Sequence, residues 1–227
     1  MKIVALICAR GNSRGIKNKN LLKFKKISLL AHSILQSRKS RYIKRTFVST
    51  DSKKIAQEAK KNKAEVPFIR PKHLAKNKSP EIHAWRHATE FLDKKLNIKP
   101  DYIVSIPTTC PLRKVSDIDN CIRKAIKNKL DIVFSITSLS RSPYFNILVK
   151  KRGKLNILSK TGLARNFKNK KINRRQDAPK CFDLTTACYV FKPKYIKKTL
   201  EQPTRKDGGE QIIAHGGKPG YKFVPVD

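Results

Sequence analysis

A polar loop directly follows the first apolar run of the chain, and its residue types suit a phosphate group. Residues 9–20 read ARGNSRGIKNKN. Gly11 and Gly15 permit close approach to the backbone, while Arg10, Arg14 and Lys19 supply fixed positive charge. The GxxxxGK[ST] spacing of a P-loop and the GxGxxG of a dinucleotide site are both absent. On these residues alone, a triphosphate site and a solvated basic turn are equally supported.

Four further blocks follow this loop in a recognisable order. They lie at 47–51 (FVSTD), 69–88 (IRPKHLAKNKSPEIHAWRHA), 107–119 (PTTCPLRKVSDID) and 174–192 (RRQDAPKCFDLTTACYVFK). Together with the loop, they resemble the signature blocks of the acylneuraminate cytidylyltransferases, or CMP-sialic acid synthetases. The resemblance covers roughly residues 1–195. It implies transfer of CMP from CTP to a sialic-acid-like nonulosonic acid, a nine-carbon acidic sugar, with release of pyrophosphate.

The resemblance also implies a CTP site. In that family the first loop wraps the CTP phosphates, which assigns CTP contacts to Arg10, Gly11, Asn12, Ser13, Arg14, Gly15, Lys19 and Asn20. Arg10 and Lys19 are the expected catalytic groups, because cations there stabilise the charge of the departing pyrophosphate. Arg70 and Ser79 are expected to contact cytosine. The alternative for Arg70 is a surface arginine before a proline turn.

The sugar side of the site is implied by the two later blocks. Sugar contacts are expected from Thr108, Thr109, Arg113, Arg175 and Gln176. An arginine in the last block could pair bidentately with the sugar carboxylate. Arg113 could equally hold its loop in place. Pro107 stands where the family commonly has glutamine, and Asp183 where many relatives have Asn-Gly, so we expect a variant subgroup.

A metal is implied as well. Relatives carry a C-terminal Asp-x-Asp that binds Mg²⁺, a hard cation that prefers oxygen ligands. This sequence ends GYKFVPVD, so either Asp227 is the candidate ligand that remains of that site, or the sequence ends before it. A chain without the second carboxylate could be a non-catalytic nucleotide-binding relative, and that alternative stays open. So does a cytidylyltransferase for another acidic sugar, such as 3-deoxy-octulosonate.

The elements that must position these residues alternate along the first part of the chain. Apolar runs at 2–8, 45–51, 101–107 and 131–137 predict strands, and periodic segments at 27–38, 51–62, 81–96 and 116–128 predict helices. We expect Asp51 and Ser116 to cap two of these helices. The alternation favours an α/β fold with a mostly parallel sheet and ligands at the carboxyl ends of its strands. The family resemblance implies the Rossmann-like nucleotidyltransferase version of that fold.

The pattern changes after residue 141, where short strands separated by basic loops predict a small antiparallel excursion. No linker divides the chain, so we expect one domain over residues 1–227. Relatives form dimers through the corresponding segment. The resemblance therefore implies a homodimer to which residues 140–180 contribute.

Composition limits the other functions. The formal net charge of +37 attracts polyanions, but the lysines are spread through the chain and no zinc-finger or RNA-binding motif is present. We therefore expect no specific nucleic-acid partner. No apolar run reaches the ~20 residues of a membrane span, so no membrane partner is expected either. The five cysteines lack metal or disulfide spacing, which favours reduced thiols in the cytoplasm.

Overall fold

A computed structural model describes residues 1–13, 15–151, 153–158, 172, 174–200 and 221–225. The chain forms two compact units. The first contains Met1–Ser135 and Thr185–Asp227, and the second contains Ile136–Leu184.

Strands and helices alternate through the first 138 residues, as the sequence predicts. The described strands are β1 (Ile3–Cys8), β2 (Lys23–Phe24), β3 (Ile27–Ser28), β4 (Arg45–Ser49), β5 (Tyr102–Ser105), β6 (Ile132–Ser138), β7 (Leu148–Lys151), β8 (Lys154–Ile157), β9 (Phe182–Phe191) and β10 (Tyr221–Pro225). The described helices are α1 (Leu29–Lys39), α2 (Lys53–Lys61), α3 (Glu81–Leu96), α4 (Val115–Lys127) and α5 (Pro193–Leu200).

The main sheet has six strands in the order β10-β6-β9-β5-β1-β4. The central strand β1 pairs in parallel with β4 on one side and with β5 on the other. β9 pairs antiparallel with β5. The prediction of an α/β fold with a mostly parallel sheet is therefore confirmed. Because β1, β4 and β5 run in the same direction, the loops that follow them meet at one edge of the sheet.

Helices cover both faces of this sheet. Alternate residues of β1 point to opposite faces. Ile3 and Ile7 pack with buried side chains of α1, α2 and α4. Val4 and Leu6 instead pack with α3 and with Ile196 of α5.

The helix that follows β4 begins differently from the prediction. Asp51 does not cap α2, because Ser52 takes that position and its Oγ accepts from the Ile55 amide at 3.5 Å. The Asp51 carboxylate instead accepts a hydrogen bond from the Gly11 amide. The predicted cap at Asp51 is therefore wrong by one residue. Its carboxylate instead binds the loop that follows β1.

The predicted cap at Ser116 is also wrong. Helix α4 begins one residue earlier, with Lys114 at the N-cap position. The Asp117 carboxylate accepts from the Lys114 amide at 3.2 Å, so it satisfies an amide at the start of the helix. Helix α1 begins two residues later than predicted, because Ile27 and Ser28 form strand β3.

A two-residue turn joins β2 and β3. Lys25 and Lys26 have φ values of 47° and 72°, in the left-handed region. Glycine and asparagine favour this region, whereas lysine enters it at a cost. The hairpin is therefore strained at both turn residues.

The second unit contains the short antiparallel hairpin β7–β8. This bears out the predicted change of pattern after residue 141. Among the residues of this unit that the structure describes, the large exposed apolar side chains are Leu148, Leu155, Phe182 and Leu184. None of the helices that the structure describes combines the length and the apolar composition that a membrane crossing requires.

Candidate active site

A pocket of about 280 Å³ opens at the edge of the sheet where β1 and β5 end. It lies within the first unit and is lined by Cys8, Arg10, Ser13, Lys19, Asn20, Arg70, Leu74, Lys76, Ser79, Glu81, Pro107, Thr108, Thr109, Thr186 and Tyr189. Eight of the sequence-predicted site residues are therefore brought together: Arg10, Ser13, Lys19, Asn20, Arg70, Ser79, Thr108 and Thr109.

The loop after β1 is held against the end of β4. The Ala9 amide donates to the Ser49 carbonyl at 3.0 Å, and the Gly11 amide donates to the Asp51 carboxylate at 2.8 Å. A side chain at Gly11 would have its Cβ 3.0 Å from the Ser52 Cβ. A Cβ at this position would therefore require the loop or Ser52 to shift by a few tenths of an ångström.

Asn20 joins this loop to the loop after β5. Its side chain is buried, with 5% of the residue exposed. The Asn20 Nδ2 donates to the Arg10 carbonyl at 2.9 Å, and its Oδ1 accepts from Thr108 Oγ1 at 2.7 Å. One side-chain amide thus links the two loops, both of which line the pocket.

The pocket carries a strong positive charge. Arg10 and Lys19 come from the loop after β1, Arg70 follows the short pairing of Thr50 with Ile69, and Lys76 lies in the next loop. A pocket with four cationic side chains attracts an anionic ligand. Triphosphate is a ligand that this arrangement suits.

Arg70 is fixed from within the protein. Only 5% of the residue is exposed, its Nε donates to Ser49 Oγ at 3.0 Å, and its Nη2 donates to the Ser49 carbonyl. The alternative of a surface arginine is therefore wrong. Ser79 also lines the pocket, with its Oγ donating to the His73 carbonyl at 2.6 Å.

Glu81 is the acidic residue among the pocket-lining side chains. It is the first residue of α3, and Trp85 Nε1 donates to its Oε1 at 3.3 Å. Burial raises the pKa of its carboxyl group, against the opposing effects of the Trp85 hydrogen bond and of the Arg70 and Lys19 charges. The residue as a whole is nevertheless exposed to solvent.

The Cys8 thiol lies at the end of β1 and also lines the pocket. Burial raises its pKa to about 12, and the nearby Arg70 only partly offsets this. The thiol is therefore protonated at neutral pH, so it is not a nucleophile in this site.

Arg113 does not line the pocket, although the sequence makes it a candidate for sugar contact. Its Nη1 donates to Gln36 Oε1 at 2.8 Å, and its Nη2 donates to the carbonyls of Pro107 and Thr186. Burial lowers the pKa of its guanidinium. These contacts fit the alternative that Arg113 holds its loop in place. Thr109, in contrast, reaches the pocket and donates to Thr186 Oγ1 at 3.2 Å.

The other predicted site residues lie elsewhere. Gly11, Asn12 and Gly15 are in the loop after β1 but not among the residues that line the pocket. Arg14 and Asp227 lie outside the described residues. Arg175 and Gln176 are exposed residues of a short 3₁₀ turn, Arg175–Asp177, in the second unit.

Seven lining residues were not identified as site residues from the sequence: Cys8, Leu74, Lys76, Glu81, Pro107, Thr186 and Tyr189. Glu81 had a usable signal, since it is one of only 16 acidic residues and follows Ser79 closely in a block assigned to the nucleotide. Thr186 and Tyr189 lie in the block at 174–192, but only the pairing of β9 with β5 brings them to this pocket.

The predicted metal finds no preformed set of ligands in the part of the chain that the structure describes. No three His, Cys, Asp or Glu side chains cluster among those residues. Asp51, an acid near the pocket loop, already accepts from the Gly11 amide. These residues therefore do not fit a Mg²⁺ site made by protein alone.

Parallel strands, helices on both faces and a basic pocket at the strand ends define a nucleotide-binding α/β protein. The sequence profile of the family described as cytidylyltransferase matches residues 4–212. The chain belongs to this cytidylyltransferase family.

Curated relatives and a solved structure agree with that assignment. The post-translational flagellin modification protein B of Campylobacter coli is 34% identical over 195 residues, which cover 86% of this chain and 79% of that protein. The CMP-N,N′-diacetyllegionaminic acid synthase of Campylobacter jejuni has the same identity and coverage. The structure of a CMP:2-keto-3-deoxy-manno-octonic acid synthetase complexed with CTP has a TM-score of 0.71 at 12% identity, covering 100% of this chain and 91% of that one. This last likeness concerns the fold alone.

Proposed function

We propose that the protein transfers CMP from CTP to a nonulosonic acid and releases pyrophosphate. This proposal rests on one observation: a single pocket is lined both by the basic loop after β1 and by the threonines after β5. The anomeric hydroxyl oxygen of the sugar forms a bond to the α-phosphorus of CTP. The bond from that phosphorus to the bridging oxygen breaks, and the hydroxyl proton is lost to the surroundings.

The pocket residues have different roles in this proposal, which follow from their side-chain chemistry. Arg10 and Lys19 neutralise the triphosphate and stabilise the charge that develops on pyrophosphate. Ser13 adds a hydroxyl donor on the same side. Asn20 and Thr108 keep the two loops in register, so that the phosphates and the acceptor are held in a productive orientation.

Arg175 and Gln176 stay the sugar contacts that the family resemblance predicts. Arg175 has the fork geometry that pairs bidentately with a carboxylate, and Gln176 follows it in the same turn. Replacement Arg175→Lys keeps the charge but removes the fork. We expect it to raise the KM for the sugar at least ~10-fold and to leave the KM for CTP unchanged.

The first acceptor to test is N,N′-diacetyllegionaminic acid. The chain shares 34% identity over 195 residues with a synthase named for its CMP derivative. Pro107, which lines the pocket, cannot donate the hydrogen bonds that a glutamine side chain would. This difference argues for an acceptor other than ordinary sialic acid.

We further propose that activity requires Mg²⁺. Mg²⁺ is commonly held by substrate phosphates, with waters and only one or two carboxylates. Asp227 is the candidate carboxylate. Assay of the CTP reaction in EDTA, with and without added Mg²⁺, tests this requirement.

We also propose that the protein forms a homodimer through the second unit. In the second unit, Leu148 and Leu155 of the β7–β8 hairpin are 56% and 66% exposed, and Phe182 of β9 is 51% exposed. Exposed apolar side chains of this size often mark a protein interface. Light scattering of Leu155→Lys should show a monomer, whereas Leu112→Lys, at an exposed leucine of the first unit, should leave the dimer intact.

The deciding experiment measures pyrophosphate release with Mg²⁺, CTP and a panel of legionaminic, pseudaminic and sialic acids and 3-deoxy-octulosonate. ATP, GTP and UTP serve as nucleotide controls. Release with CTP and one nine-carbon acid supports the proposal and identifies the acceptor.

Two other results would contradict it. Release only with the eight-carbon acid would make the protein a different CMP-sugar synthetase. Thermal stabilisation by CTP without turnover of any sugar would make it a non-catalytic nucleotide-binding relative.

A further inference from the structure

Glu81 is a carboxylate in a pocket that is otherwise basic. Arg10, Lys19, Arg70 and Lys76 share the pocket with it. A carboxylate close to bound phosphates would repel them, so it is unfavourable unless it meets a part of the ligand that donates hydrogen bonds. Its presence therefore points to a donor group on the ligand, away from the phosphates.

The carboxylate is held in place by the protein core. Trp85 Nε1 donates to Glu81 Oε1 at 3.3 Å, one helical turn away. The indole is 1% exposed and stacks on Phe191, with ring centroids 4.9 Å apart and an interplanar angle of 21°. Because Trp85 is fixed by this packing, it gives Glu81 a defined orientation at the pocket wall.

Arg70 supplies the complementary charge. Both Arg70 and Lys19 act electrostatically on Glu81, and Arg70 has the larger effect. Arg70 is anchored to Ser49 by its own hydrogen bonds. The pocket wall therefore presents a fixed acceptor and a fixed cationic donor as neighbours.

We propose that Glu81 accepts a hydrogen bond from the exocyclic amino group of the nucleotide base and so selects cytosine over uracil. This inference rests on the proposed function and names a specificity residue for it. Cytosine carries an N4 amino donor beside its N3 and O2 acceptors, which matches Glu81 beside Arg70. Uracil would place its O4 acceptor against the carboxylate, and two acceptors repel each other.

The test compares binding of three nucleotides by titration calorimetry: CTP, UTP and the pyrimidin-2-one ribonucleoside triphosphate, which lacks the amino group. The wild type should bind CTP at least ~10-fold more tightly than either of the others, as expected for a base-edge contact. Glu81→Met should remove most of this preference. Glu81→Gln, which keeps a neutral acceptor, should retain part of it.

Glu90→Gln is the matched control, because Glu90 lies on the same helix, pairs with Arg86 at 2.8 Å and does not line the pocket. It should keep the full preference for CTP. The nucleotide-side comparison in the wild type needs no variant, so equal binding of CTP and the pyrimidin-2-one analogue overturns the inference even if a substitution impairs folding.

Three results would overturn the inference: equal wild-type binding of CTP and the pyrimidin-2-one analogue, equal weakening of both by Glu81→Met, or unchanged nucleotide binding with a raised KM for the sugar. Selective CTP binding that depends on Glu81, without turnover of any sugar, would overturn only the proposed transfer. Absence of CTP binding by the wild type would overturn both.

Discussion

The side chain of Asn20 accepts a hydrogen bond from Thr108 Oγ1 at 2.7 Å, across 88 residues of sequence. The same amide donates to the Arg10 carbonyl at 2.9 Å. Thr108 and Arg10 follow different strands of the sheet. The relative position of the basic loop and the loop after β5 therefore depends on one buried amide.

We expect Thr108→Val to raise the KM for CTP about 10-fold, because it leaves a buried acceptor of Asn20 unsatisfied, at a cost of about 1–3 kcal/mol. Asn20→Ala should have a similar effect, and the double variant should be little worse than either single one. Steady-state kinetics of the four proteins measure this coupling. Additive losses would mean that the two residues act independently.

Gly11 should not tolerate a side chain, because its Cβ would lie 3.0 Å from the Ser52 Cβ. Gly11→Ala must shift the loop, so we expect kcat/KM for CTP to fall about 10-fold, a loss of about 1.4 kcal/mol of transition-state stabilisation. Replacing Ser52 by glycine as well removes the contact and costs the α2 cap only a few tenths of a kcal/mol, about 0.3. Activity that is not recovered in this double variant would rule out the contact as the cause.

Arg113 should be needed for stability. It is 5% exposed and donates to Gln36 and to the carbonyls of Pro107 and Thr186. Arg113→Ala should lower the free energy of unfolding by about 2–4 kcal/mol, because buried acceptors lose their partner. Urea unfolding measures this change.

Arg41→Ala is the control for Arg113. Arg41 pairs with Asp119 at 3.2 Å, but its side chain is 77% exposed. Its loss should cost less than about 1 kcal/mol. If Arg113→Ala instead left stability unchanged and raised the KM for the sugar, Arg113 would be a sugar contact.

The sequence predicted the parallel half of the fold well, since β1, β4 and β5 are short apolar runs and helix α3 matches its predicted bounds of 81–96. Periodicity could not place Phe182–Phe191 beside β5, because that pairing joins distant parts of the chain. Nor could it separate Asp51 from Ser52 as a cap, since both residue types favour that position.

For the candidate site, too, the sequence was informative about local blocks of residues but not about contacts between distant ones. Arg10 and Lys19, in the loop after β1, were assigned through the family resemblance, because their types and spacing alone fitted a solvated turn equally well. The role of Arg113 needed the structure, because its partner Gln36 lies 77 residues earlier in the chain. Glu81 was missed although it is a rare acidic residue close to Ser79, because its importance comes from the basic side chains that the fold brings around it.

A glycine substitution in the β2–β3 turn should increase the stability of the protein. Lys26 has a φ of 72°, which costs a residue with a Cβ about 1–2 kcal/mol, whereas glycine adopts it readily. After the greater entropy loss of glycine, Lys26→Gly should raise the free energy of unfolding by about 0.5–1 kcal/mol. Lys26→Ala removes the same positive charge but keeps the Cβ. An equal gain from the alanine variant would attribute the effect to charge.

The raised pKa of Glu81 should make its contribution to stability depend on pH. Burial is the main cause of the shift, so the folded state holds the proton more tightly than the unfolded chain, where the pKa is near 4.5. The contribution of Glu81 is therefore fully present below about pH 4.5 and is lost as the pH rises through the folded value. Glu81→Gln removes this titration.

The stability of Glu81→Gln relative to wild type should accordingly rise between pH 4 and pH 7. Urea unfolding of both proteins across this range measures the difference. Glu90→Gln serves as the control, because Glu90 lies on the same helix, pairs with Arg86 at 2.8 Å and does not line the pocket. A falling difference for Glu81→Gln would mean that the positive charges of Arg70 and Lys19 outweigh burial, and that the carboxylate is ionised throughout.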